Sequence, residues 1–509
     1  MREPRSSVRR NLLANYVGQG WIAIVNLGFI PVYLSELGLE AYGLIGIFGI
    51  VIACASLLDA AITPALNREM ARFRSGEHDP QSIANLLRSV EIVSAAIIAV
   101  MVLVAWLAAD WLASRWLTQS SLSPSVVSQA IFLMSIVASS RVAEGIYRGA
   151  LLGLERHLPL NAVMIVLSTL RSGGAALALI VVSPTLQTFF VWQALSSAIG
   201  LASLAWMTRQ ALPRPPQRAA FSWQALCGIR DFSAGVLSTA LLALLLTQGD
   251  KVLLAKLLPL QLFAYYTIAT TISNSLYQLI GPVAQSYYPR FTDLVSRGTL
   301  ESLATTYHQA AQVLSVAIAP AAFLLATFSD RILLLWTRDQ EVAAQAGPVL
   351  SLLAIGTLVH GVQHIPYMLQ LSRGWSSLSA RVNLGAVLLL FPAFVWAVPR
   401  FGGIGAATIW LTMNLLCMVV TIRLMHRQAL PNEEAAWYVH DVLAIVAAAA
   451  SVTLAARWMW PASAPRAAEI GLLVLTLLVA GVASALAATA VRGRVWALTS
   501  TLRSNRASR

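Results

Sequence analysis

Arg141, Glu144 and Arg148 recur at three- and four-residue spacing inside one long apolar run, so on a helix their side chains stack along a single face. An ionisable group in hydrocarbon costs about 2.5–3.5 kcal/mol on insertion scales, so each one needs a reason to be there. Arg171 sits in the next apolar run with no carboxylate within one helical turn, and Asp59, Glu91, Asp250 and Lys251 occupy others. A guanidinium offers a planar fork that matches phosphate oxygens and stays charged when partly desolvated. Arg141, Arg171 and Lys251, with Arg148 nearby, are therefore candidates to hold a strongly anionic head group. Asp59, Glu144 and Asp250 are the candidate carboxylates for coupling to a proton or sodium ion. Plainer readings exist for each: a packing salt bridge between Arg141 and Glu144, an Arg148 that snorkels to the surface, and an Asp250–Lys251 helix-end cap facing solvent.

Other chemistry is poorly provided for. His360 and His364 lie one turn apart in His-Gly-Val-Gln-His, but the glutamate of a zinc-protease helix is absent and no third ligand is near, so no metal is assigned. There is no phosphate-binding Gly-Lys loop and no Gly-x-Ser-x-Gly elbow. The chain is not expected to be an enzyme; no catalytic residue and no cofactor is assigned.

The elements that must position these charges are membrane spans. Of 509 residues, 58% are hydrophobic and 11% charged, with a mean hydropathy of +0.70; soluble domains carry about 25% charged residues. That scarcity excludes a soluble enzyme, a disulfide-stapled secreted module and a nucleic-acid-binding domain. Apolar runs long enough to cross a bilayer fall near 11–34, 42–66, 84–112, 125–152, 159–182, 186–208, 233–256, 261–287, 307–328, 343–371, 377–398, 403–424, 438–457 and 468–490. The expectation is an all-α polytopic membrane protein of about 14 transmembrane helices. The basic N-terminus is like the head of a signal peptide, but Asn15, Gln19 and Asn26 interrupt the run behind it, so that run is read as the first span.

Orientation follows from counting. With the N-terminus inside, 25 Lys and Arg fall on inner segments and eight on outer ones, which fits an even number of spans and two cytoplasmic termini. The net charge of +13 then reports topology and gives no reason to expect nucleic acid. Trp111, Trp116, Trp336, Trp458 and Trp460 mark an outer aromatic belt, and Trp223, Trp375 and Trp437 an inner one.

The chain also repeats. Tyr42-Gly43-Leu44 leads to Arg68, and Phe263-Ala264-Tyr265 leads to Arg290, an offset of about 221 residues or six helices. An even unit implies a parallel repeat of two pseudo-symmetric six-helix lobes. The expected divisions are residues 1–210 for the first lobe, 211–232 for a cytoplasmic linker containing Pro213, Pro215 and Pro216, 233–426 for the second lobe, and 427–509 for two C-terminal helices with a basic tail.

Several motifs carry a family likeness in order along the chain: Tyr33 to Leu44, Leu57-Leu-Asp59, Arg68 to Gly76, Gln248-Gly-Asp250-Lys251, Phe263-Ala-Tyr-Tyr266-Thr, Pro282-Val-Ala-Gln285, Tyr288-Pro-Arg-Phe291 and Gly402-Gly-Ile-Gly405. Over residues 8–426 the chain resembles the polysaccharide (O-antigen-type) flippases of the multidrug/oligosaccharidyl-lipid/polysaccharide exporter superfamily. It departs at Ala264, where the family often has glycine. The resemblance implies two six-helix bundles, alternating access, a central cationic cavity, and an oligosaccharide on a polyprenyl diphosphate moved from the cytoplasmic to the outer leaflet. It also implies a bacterial inner-membrane location, with glycan polymerase and export proteins as candidate partners. A cation-coupled multidrug exporter of the same fold is the alternative, and a membrane glycosyltransferase or polymerase a more distant one, since the outer loops are short.

Overall fold

The structure is a computed structural model of the chain, describing residues 18–116, 121–375, 377–461 and 464–489. The basic tails on which the orientation count partly rests lie outside the described residues. The described residues are helical almost throughout, with no strand among them. In chain order the helices are α1 (Gly18–Leu37), α2 (Leu39–Arg74), α3 (Pro80–Trp116), α4 (Pro124–Gly153), α5 (His157–Val181), α6 (Leu186–Ala211), α7 (Trp223–Leu257), α8 (Leu260–Asn274), α9 (Tyr277–Ser296), α10 (Leu300–Thr327), α11 (Ser329–Thr337), α12 (Gln340–Val362), α13 (His364–Ser372), α14 (Ser377–Ala429), α15 (Glu434–Trp458) and α16 (Arg466–Ala487).

Local sequence sets many of these boundaries. Asp79 caps α3 by accepting from Ser82 N at 3.3 Å, with Pro80 at the first helical position. Ser222 caps α7, and Asp339 caps α12 through two backbone N–H groups. Gly76 takes φ 87° just beyond α2, a left-handed turn that glycine adopts without strain.

Among the described residues, eleven helices or helix pairs are long and apolar enough to cross a membrane. The count of fourteen does not map onto them one for one. The expected eleventh and twelfth spans both lie within α14, as two helical stretches that meet at Gly402, whose φ 56° and ψ −140° are not helical. The expected seventh and eighth spans are helical, as α7 and as α8 with α9, but are not among the eleven.

The chain divides into two compact units, Met1–Ala264 and Tyr265–Arg509. In the first, α4 is the helix around which α2, α3, α5 and α6 pack, and α7 lies against α2. In the second, α10 holds the main apolar core, with Tyr307, Leu314 and Ile318 fully buried beside residues of α12, α14 and α15. Trp437, expected in the inner aromatic belt, is fully buried there, its ring edge-on to Tyr438. The indole fills the core beneath His426 instead of resting at an interface.

Candidate functional site

The charged face of α4 exists because glycine opens its back. A Cβ added to Gly145 would collide with the Asp59 carboxylate, one on Gly149 with the Thr63 backbone, and one on Gly153 with the Asn67 carbonyl. Rows of residues four apart on α2 and α4 thus run side by side, so the two backbones approach closely. The Thr63 hydroxyl reaches both the Asp59 carboxylate and, at 2.8 Å, the Gly145 carbonyl. Arg148, one turn beyond Glu144, bonds Asp59 across this contact.

Arg171 enters from α5. Its stretch of backbone is fixed from outside: Trp192 Nε1 donates to the Leu170 carbonyl at 2.9 Å, and Tyr33 donates to the Ser172 carbonyl at 2.7 Å. Arg171 Nη2 bonds Glu144 Oε1, with both side chains buried. Glu144 is therefore held by Arg171 and not by Arg141. Gly200 on α6 makes room, since a Cβ there would sit 2.9 Å from both Arg171 Nη2 and Glu144 Oε1.

Arg141 is treated differently. Its Nε, like that of Arg171, is buried without a hydrogen-bond partner, but unlike Arg171 it forms no ion pair among the described residues. It faces a cavity of about 260 Å³ that Asp59, Glu144 and Arg148 also line, with Ser56 and Met164. Three guanidiniums share this cluster with two carboxylates, so it retains one positive charge. An arginine in such surroundings cannot shed its proton, and what it lacks is an acceptor. The arrangement suits an oxyanion that can take hydrogen bonds from Arg141 and Arg148.

The remaining sequence candidates sit elsewhere. Lys251, near the end of α7, donates to Gln248 Oε1 at 3.2 Å and does not line this cavity; Asp250 beside it does not either. Glu91 accepts from the Tyr147 hydroxyl at 2.8 Å and pairs with Arg88. Sequence reasoning missed Thr63, Gly145 and Gly200. The four-residue spacing of Gly145, Gly149 and Gly153 was the available signal.

The family model described as polysaccharide biosynthesis protein matches residues 8–295. Among solved structures, the chain is similar to lipid II flippase MurJ in an inward closed conformation, with a TM-score of 0.70 at 12% identity, covering 92% of this chain and 98% of that one. It is also similar to an inward-facing multidrug resistance MATE family transporter of the MOP superfamily, with a TM-score of 0.66 at 15% identity, covering 82% and 95%. A third likeness is to a MOP superfamily transporter from Pyrococcus furiosus, with a TM-score of 0.55 at 14% identity, covering 86% and 97%. A comparison with curated protein sequences finds no match. The fold is of the MOP transporter type.

Proposed function

The chain belongs to the polysaccharide biosynthesis protein family, and from that premise we propose that it is a flippase for a polyprenyl-diphosphate-linked oligosaccharide. In this reading it moves the lipid from the cytoplasmic to the outer leaflet by alternating access of two six-helix lobes, for surface polysaccharide biosynthesis. The observation that carries the proposal is Arg141, whose buried Nε lacks a partner and which faces a cavity lined by two arginines and two carboxylates, with Arg171 behind Glu144 bringing the cluster to plus one. A diphosphate diester carries about two negative charges and accepts several hydrogen bonds, which matches what that cavity lacks. Arg148 is the second donor, and Arg171 holds the anionic wall through Glu144. Lys251, expected to join them on the same head group, does not line this cavity. Asp59 and Glu144, each already bonded to an arginine, are the carboxylates that substrate would compete with, so they and Asp250 remain the candidates for ion coupling.

In the same reading the protein sits in a bacterial cytoplasmic membrane with both termini inside. A glycan polymerase and export proteins would receive the product. The MATE likeness supports a second reading, a cation-coupled multidrug exporter, for which Asp59 and Glu144 on the cavity wall are the relevant groups.

The test is a strain lacking this protein. It is expected to accumulate a lipid-linked oligosaccharide, and Arg141→Ala at normal membrane levels is expected to leave that lipid accumulated while Arg141→Lys restores part of the export. Full export with Arg141→Ala would overturn the site. Sensitivity to cationic drugs without any lipid accumulation would favour the exporter.

A further inference from the structure

The second unit carries a buried acid–base cluster that the flippase reading does not use. Asp441 lies in a π-helical turn, Trp437–Leu443, and its side chain is 1% exposed. Such turns interrupt the regular helical hydrogen bonding and recur at functional positions. Two side chains of α10 reach Asp441: Gln312 Nε2 donates to Oδ1 at 2.8 Å, and His308 Nδ1 bonds Oδ2. The other ring nitrogen, His308 Nε2, lies 3.1 Å from Glu433 Oε2, and Glu433 is 37% exposed. Gln312 also donates to Thr489, beyond the end of α16, at 3.2 Å.

Protons can be counted from this geometry. An ionised carboxylate only accepts hydrogen bonds, and a neutral imidazole donates from one nitrogen while accepting at the other. With both acids ionised and the ring neutral, a ring lone pair would face an oxygen lone pair. Two protons must therefore be shared among the three groups, either as imidazolium between two carboxylates or as a neutral ring beside one protonated acid. The other titratable groups facing the cluster are Tyr307 from α10, His426 from the end of α14, and Glu434 and Tyr438 from α15. Among the described residues, neither Glu433 nor Asp441 pairs with a lysine or arginine. Among the described residues, the bridging proton is the only cation serving the two acids.

We propose that Glu433, His308 and Asp441 form a proton-binding relay in which occupancy sets how firmly α15 is held to α10. A proton taken from water by the Glu433 carboxylate passes to His308 Nε2. The Nδ1 proton passes on to Asp441, and the ring ends as the other neutral tautomer. Chains of acids and histidines carry protons this way in membrane proteins. The proposal is independent of the transported lipid.

It is tested on the full chain in lipid nanodiscs with nitrogen-15 histidine, the His308 signals being identified by their loss in His308→Gln. In wild type both ring nitrogens should report a shared, hydrogen-bonded proton at pH 7.5. Asp441→Asn and the exposed Glu433→Gln should each abolish that signature on one nitrogen. Amide exchange in residues 434–446 should rise at least tenfold in Asp441→Asn, and in wild type as the ring loses its shared proton at higher pH. A wild-type ring with one nitrogen free of any proton or bond overturns the relay. Exchange in α15 that ignores the ring's protonation also overturns it.

Discussion

Arg171 with Glu144 in the first unit, and His308 with Asp441 in the second, are both buried acid–base contacts between two helices, yet they differ in what they can exchange. A guanidinium keeps its proton under all physiological conditions, so the first cluster can change only by trading one anion for another. An imidazole is the side chain whose charge changes near neutrality, so the second can change by gaining or losing a proton. The first is enclosed by glycine-mediated contacts and holds one spare positive charge. The second opens to water through Glu433 and, among the described residues, has no permanent cation. In the readings proposed above, one unit recognises an anion and the other registers a proton.

The hardest blow to this contrast is expected from Arg171→Ala, which strands Glu144 in the interior. Breaking one side of a buried pair typically costs about 3–5 kcal/mol, read here as a loss of unfolding free energy in detergent. Arg171→Met together with Glu144→Leu should return most of it. His308→Gln should cost clearly less, because Gln312 still donates to Asp441 and Glu433 can turn to solvent. Equal costs for the two would break the distinction.

A smaller effect is expected from Gly200→Val. The added carbons press on Arg171 and Glu144 from 2.9 Å, and overpacking of this kind costs about 1–3 kcal/mol. The loss should shrink when the ion pair is replaced by Met and Leu, and amide exchange in α15 should stay unchanged. The smallest effect belongs to Arg457→Gln. The Asp330–Arg457 pair is 2.8 Å long but its side chains are 44% and 38% exposed. Such pairs contribute about 0–1 kcal/mol, and the difference from wild type should fade as salt is added.

The sequence displayed its charges well and their pairing poorly. Arg141, Glu144 and Arg148 share a face by spacing alone, and Asp59 stood out as a carboxylate in an apolar run. What spacing cannot give is that Glu144 turns to Arg171, 27 residues away. That choice depends on α4, α5 and α6 meeting at Gly200, a tertiary fact. Arg141 and Arg171 read alike in sequence, yet one is tied off and the other faces open space. The relay was further out of reach. His308 stands more than 120 residues before either acid, and Trp437 to Leu443 reads as the apolar opening of a span. The π-turn that swings Asp441 inward leaves no periodic trace. The apolar runs announced the helices themselves, including the two stretches of α14 that meet at Gly402.

The paired rows on α2 and α4 limit how the first unit can move. Asp59, Thr63 and Asn67 face Gly145, Gly149 and Gly153 at a repeat of four residues on both helices. An axial slide would carry the glycines off their partners, and the same close fit recurs only after one full turn, about 5.4 Å. The contact therefore behaves as a toothed joint with no intermediate stop. Whatever rearrangement the first unit undergoes, α2 and α4 must travel as a single beam, carrying Arg141, Arg148 and Asp59 together in fixed relation.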